Sequence, residues 1–279
     1  SSSPMHLTAV GNTLYFRAND GTNGTELWKS DGTASGTMMV KDIRSGSGTS
    51  SPNDFTALGN TLYFQAEDGT NGTELWKSDG TASGTMMVKD IRSGSGSSSP
   101  NQFTQVGNTL YFTATDSTNG AQVWKTNGTA NGTIMLINTC NCYNWWWSDA
   151  PGYLIAWGDY LYFRATDGTN GMELWKSDGT ASGTIMVKDI ASGSGGSSPN
   201  WLAVVDNTLY FQADDGIHGP ELWKSDGTDS GTVLVKDIRT GGIGSQIQYI
   251  TAVGDTLFFR AHNDALYSNL GTYTEVTYS

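Results

Sequence analysis

In a chain of 279 residues, 36 glycines, 11% aromatic residues and only 15% charged ones point away from helical or disordered structure and toward an all-β protein with many tight turns. A formal net charge of −12 without any basic stripe excludes nucleic acid as a partner, and no run of 18 apolar residues exists to insert in a membrane. The two cysteines, Cys140 and Cys142, flank a single residue, too close for an unstrained bridge, so they are not a disulfide framework.

The first elements set a pattern. Met5–Val10 is a short strand, Gly11 and Asn12 form a two-residue turn, and Thr13–Ala18 is a second, β-branched and aromatic strand. Asp20 to Thr25 is a loop of residues that tolerate positive φ. Glu26–Lys29 makes a third strand, Asp31 to Gly36 a turn, and Thr37–Ile43 a fourth strand. A Ser/Gly-rich linker, Ser45 to Asn53, follows, and the cycle restarts at Asp54.

It restarts again and again. The segment Glu26-Leu27-Trp28-Lys29-Ser30-Asp31-Gly32-Thr33 returns from Glu74, Glu173 and Glu221, as a variant from Gln122, and in worn form at Leu266–Thr272. Its tryptophans, at 28, 76, 124, 175 and 223, are spaced 48, 48, 51 and 48 residues apart. Residues 10–57 and 58–105 differ at only six positions. A period of this length signals a repeat architecture. Links inside a unit are short and the link between units is the longest, as when a chain leaves an outer strand for the next inner one. The expectation is a six-bladed β-propeller of four-stranded antiparallel blades, about 48 residues per repeat, forming one domain over residues 1–279. The blades run over 5–53, 54–101, 102–151, 152–200, 201–248 and 249–279, the last ending in a strand at 274–278. An open solenoid and part of a larger propeller are the other arrangements the repeat allows.

The motif Glu-Leu-Trp-Lys-Ser-Asp-Gly-Thr resembles the ELWxxDGT repeat of bacterial secreted and cell-surface proteins, over five full repeats and a decayed sixth. The resemblance implies an extracellular bacterial propeller, often part of a larger protein. It implies little about activity, since the residues that define the repeat are those that determine the fold. Blade 3 departs from it at Gln122 and Asn127, and blade 6 lacks its Asp.

Two stretches stand out as candidate sites. Between blades 3 and 4 the linker is three residues longer and carries Tyr143, Trp145, Trp146 and Trp147. Adjacent side chains of an extended segment face opposite ways, so these rings cannot all enter one core. They are read either as a ligand-binding surface, since Trp and Tyr offer large rigid area, or as a local plug over the gap between blades. The second stretch is the loop Asp20, Asn23, Glu26, repeated as Asp68, Asn71, Glu74 and as Asp167, Asn170, Glu173. Hard oxygen ligands among glycines suit calcium, although the spacing matches no specific calcium signature; a turn held by Asx hydrogen bonds is the other reading. In a meander, the loops after second strands and the interblade linkers share one rim, so both candidates lie there. The Lys29-Ser30-Asp31-Gly32-Thr33 turn on the other rim is read as structural.

No nucleophile elbow, phosphate loop or zinc-spaced His/Cys cluster accompanies these stretches. Near-identical blades make equivalent sites, not one convergence of unlike groups. The expected function is a non-enzymatic extracellular or cell-surface binding module for a glycan or surface protein, needing no cofactor, with calcium as the candidate ion. The alternative is a structural or self-associating subunit of a surface layer, filament or spacer.

Overall fold

The computed structural model describes residues 2–138 and 150–263, and these contain strands, turns and loops without a helix. The chain divides into two compact units, Ser1–Met135 and Leu136–Ser279.

In the first unit, β1 (Met5–Val10), β2 (Thr13–Asn19), β3 (Thr25–Ser30) and β4 (Met38–Lys41) form one antiparallel meander. A second is built by β5 (Asn53–Leu58), β6 (Thr61–Glu67), β7 (Thr73–Ser78) and β8 (Met86–Lys89). The third comprises β9 (Asn101–Val106), β10 (Thr109–Asp116), β11 (Gly120–Thr126) and the short β12 (Ile134–Met135). The second unit repeats the plan with β13 (Gly152–Trp157), β14 (Tyr160–Thr166), β15 (Met172–Ser177) and β16 (Ile185–Lys188). Next come β17 (Asn200–Val205), β18 (Thr208–Asp214), β19 (Pro220–Ser225) and β20 (Val233–Lys236). The last described sheet has two strands, β21 (Gln248–Val253) and β22 (Thr256–Arg260). The expected strand at 274–278 and the worn motif at 266–272 lie outside the described residues.

The strand residues explain the stacking. Each central hairpin sets Phe opposite Trp, as in Phe16–Trp28, Phe64–Trp76 and Phe163–Trp175, giving one aromatic face per blade. That face of the second meander, with Leu62, Phe64, Ala66 and Trp76, packs against Val10, Tyr15, Leu27, Val40 and Ile43 of the first. The same joint recurs between the second and third meanders, and in the second unit between the blades carrying Trp175 and Trp223. Because both faces of such a sheet are covered, Leu-Tyr-Phe strands are apolar on both sides. The corresponding face of the first meander, Leu14, Phe16 and Trp28, is only half-buried and opens a cavity of about 420 Å³.

Polar motif residues lock the same joints. Lys29 Nζ donates to the Gly80 carbonyl at 2.7 Å, Lys77 to Gly128 at 2.8 Å and Lys176 to Gly227 at 2.7 Å. Gly80 has φ +87°, and a Cβ there would strike the Tyr15 hydroxyl. The glycine of the Asp-Gly-Thr turn is therefore required twice, by its own backbone and by its neighbour's tyrosine.

Candidate functional site

The glutamate that opens the repeat motif is a buried clamp. Glu26 is fully buried; its carboxylate accepts hydrogen bonds from the Ile43 amide at 2.9 Å, the Ser50 amide at 3.0 Å and the Ser50 hydroxyl at 2.6 Å. Glu74, Glu173 and Glu221 do the same with Ile91 and Ser98, Ile190 and Ser197, and Ile238 and Ser245. Each thereby fastens its third strand to the linker that leaves the blade. Burial pushes all four carboxyls above the usual range, against the opposing effect of these hydrogen bonds.

Asp20 and Asn23 are occupied with each other. Asp20 Oδ1 accepts the amides of Thr22 and Asn23, both at 2.8 Å, and Oδ2 accepts Asn23 Nδ2 at 2.7 Å. Asp68 with Asn71 and Asp167 with Asn170 repeat this Asx turn. In the fifth blade Asp215 closes the turn on His218, whose Nδ1 lies 2.7 Å from Oδ2. The amide of Asn23, foremost, and its neighbours hold Asp20 below the usual carboxylate range. The sequence triad Asp20, Asn23, Glu26 thus separates into a surface turn and an inward clamp, and likewise Asp68, Asn71, Glu74 and Asp167, Asn170, Glu173. Among the described residues no three His, Cys, Asp or Glu side chains gather as a metal group.

The opposite turn is also structural in detail. Asp31 Oδ1 accepts both the amide of Thr33 at 2.9 Å and its hydroxyl at 2.7 Å. A Cβ on Gly36 would collide with the same carboxylate. The loops and linkers expected to share a rim do meet: the Thr25 amide donates to Thr49 Oγ1 at 3.2 Å, and Gly24 packs on the Gly48 carbonyl so closely that a Cβ has no room. Tyr143, Trp145, Trp146, Trp147, Cys140 and Cys142 lie outside the described residues.

A further set of residues was not singled out from sequence. Every first strand carries a β-bulge after its opening residue. The bulged residue sits in the left-handed region, although none is glycine: His6 (φ 55°), Asp54 (54°), Gln102 (56°), Tyr153 (55°), Trp201 (57°) and Tyr249 (56°). For aromatic residues that conformation costs about 1–2 kcal/mol. The fold supplies the bulge and the side chain is free to differ, so no two successive blades carry the same residue.

In the second unit this position builds an aromatic row. β17 packs between β13 and β21, placing Trp201 between Tyr153 and Tyr249 in sequence of strands. Trp201 and Tyr249 are in ring contact, centroids 5.0 Å apart and tilted 52°. Tyr153 is 40% exposed and Tyr249 60%. Arg164, opposite Gly152 on the neighbouring strand, lays its guanidinium 4.6 Å from the Tyr153 ring centre and donates from Nη1 to Asn200 Oδ1 at 2.7 Å. Arg164 and Asn200 therefore join Tyr153 to the strand that carries Trp201. A column-by-column comparison of the six units would have exposed this set, since it varies where the rest is repeated.

No protein-family model and no curated protein matches the chain. Solved structures do. The chain is 12% identical to a prolyl endopeptidase, with a TM-score of 0.57, covering 94% of this chain and 40% of that one. It is 10% identical to prolyl oligopeptidase B from Galerina marginata, with a TM-score of 0.55, covering 93% and 42%. A computationally designed protein, Ika8, is 16% identical over 94% of this chain and 68% of its own, at a TM-score of 0.49. The chain thus spans about two fifths of the length of those peptidases. At such identities the likeness concerns fold alone: an all-β, β-propeller-like repeat fold, with five four-stranded antiparallel sheets and one two-stranded sheet among the described residues.

Proposed function

We propose that this protein is a non-enzymatic, extracellular or cell-surface binding module, six-bladed by its repeat count, that takes a saccharide on the Tyr153–Trp201–Tyr249 row. The observation that carries the reading is the row itself: three aromatic residues at one bulged position of three adjacent strands, two of them well exposed. Rigid rings stack on the apolar faces of sugars, and a repeating row suits a repeating chain. The backbone strain beneath each ring supports a functional role, because a fold has no need of Trp or Tyr where Asn or Gly is easier. The repeated polar residues support it from the other side, being engaged in clamps and turns instead of converging on a reacting centre. Tyr143 and Trp145–Trp147 are proposed as additional contacts, and calcium at the Asp20-type loops as a secondary ion. The acidic composition and the ELWxxDGT-like motif support the extracellular setting.

The test is a screen of soluble and insoluble polysaccharides, with and without calcium, against the intact chain, Trp201→Asn and the control Gln102→Asn. Binding by the intact chain and the control, lost in Trp201→Asn at an unchanged melting temperature, is expected. Equal binding by all three would remove the row from the reading. A self-associating structural role is the second reading, favoured by the half-buried apolar face of Leu14, Phe16 and Trp28. Sedimentation of the intact chain against Phe16→Glu separates it: association that disappears in the variant would support it.

A further inference from the structure

The arginine within the row has a chemistry that stacking does not use. Arg164 is half-buried, Nη1 is committed to Asn200, and its Nε is buried with no hydrogen-bond partner. It makes no ion pair among the described residues, although the chain carries a net charge of −12; the pairs present there are Arg44 with Glu67, Lys188 with Asp229 and His218 with Asp215. A partly desolvated cation without a counter-charge is costly, and the cost falls when an anion arrives. Burial lowers the Arg164 pKa from its ordinary value, with Tyr153 opposing. The ring of Tyr153 orients the guanidinium plane, and with Nη1 bonded and Nε buried, Nη2 is the nitrogen left to donate to a carboxylate or sulfate.

Blade 1 provides an internal contrast. Its equivalent residue, Arg17, is opposite Met5 and reaches the Met5 sulfur at 3.4 Å on an exposed surface, with His6 in place of Tyr153. The cation is kept there and Asn53 stands where Asn200 does, but Arg17 turns to Met5 instead, Asn53 Oδ1 is left without a partner, and no tyrosine ring orients the guanidinium.

Resting on the reading of the aromatic row as a saccharide platform, we propose that the ligand is an anionic saccharide whose carboxylate or sulfate docks on Arg164 while its rings lie along Tyr153, Trp201 and Tyr249. Charge recognition then comes from the oriented Arg164 guanidinium, and length recognition from the row.

The test is calorimetric titration with three hexasaccharide probes: an oligogalacturonate, its neutral methyl-esterified counterpart, and a sulfated chondroitin fragment. At least one anionic probe should bind about tenfold or more tightly than the neutral one, the size expected of a charge-assisted contact. In Arg164→Gln that preference should vanish, the anionic and neutral probes binding alike, and Arg17→Gln should leave the preference intact. Arg164→Lys, which keeps the charge and most of the packing, should retain only part of the preference. The carboxylate and sulfate arms say which anion is read. Equal binding of neutral and anionic probes by the intact chain would overturn the anionic assignment and leave the saccharide reading standing. No binding of any probe by the folded protein would overturn both.

Discussion

The two units use one backbone device to present opposite surfaces. In the first, the bulged residues are His6, Asp54 and Gln102; in the second they are Tyr153, Trp201 and Tyr249, at φ values within a few degrees of the first set. In the first unit Asp54 accepts a hydrogen bond from Gln65 at 2.6 Å, a self-satisfied polar pair. In the second, Trp201 and Tyr249 rest on one another, with Tyr249 60% exposed and Trp201 half-buried. Residues 10–57 and 58–105 are nearly the same sequence, yet two of their six differences, Arg17 against Gln65 and Asp54 against Gln102, fall at a bulge or directly beside one. Repetition preserves what holds the blade; divergence collects where the side chain is free.

The sharpest way to break this contrast is to attack a shared position. Glu74→Ala in the first unit leaves the buried amides of Ile91 and Ser98 without their acceptor and should cost about 3 kcal/mol. Glu221→Ala in the second unit should cost a similar amount by chemical denaturation, because the clamp is the same in both. Glu74→Gln should be far milder, since blade 3 already places the fully buried Gln122 at that position. A large loss in one unit and none in the other would separate the two scaffolds.

Next in size are the unshared positions. Trp201→Asn should abolish saccharide binding and leave the melting temperature unchanged or slightly raised, because Asn adopts positive φ more readily than Trp. Gln102→Asn should affect neither.

Acidity should act on both units together. The four clamp glutamates have raised pKa values in the folded protein, so that protein binds more protons than the unfolded chain above the ordinary value of 4.5. Stability should therefore rise as pH falls from neutral toward 4.5 and be lost again as pH rises through the clamp pKa. The turn aspartates Asp20, Asp31, Asp79, Asp167 and Asp226 have lowered pKa values, and their contribution should disappear below 3.8. Thermal melts over this range should thus show a mildly acidic maximum. A maximum at neutral pH would contradict the clamp assignment. The smallest expected effect is Asp79→Ala, a slight lowering of the melting temperature from the loss of one exposed turn tie, with Asp226→Ala as its match in the second unit.

What could be read from sequence follows the same division. The meander, its turns and the 48-residue cycle were legible because Leu-Tyr-Phe strands, Asp-Gly-Thr turns and Ser/Gly linkers each have a local cause. Asx closure of the Asp20 loop was legible as one of two readings. The inward course of Glu26 was not, because its partners, Ile43 and Ser50, lie 17 and 24 residues away. Nor was the row: the first strands look like ordinary short strands, and the bulge at Tyr153, Trp201 and Tyr249 shows only in the pairing register.

The most direct test transplants one surface onto the other. A variant with Tyr153→His, Trp201→Asp and Tyr249→Gln gives the second unit the bulge residues of the first. Titrated with the oligosaccharide the intact chain binds, it should show no binding while melting cooperatively at the original temperature. Binding that survives the exchange would contradict the account, as would loss of the fold, which would make the row part of the scaffold.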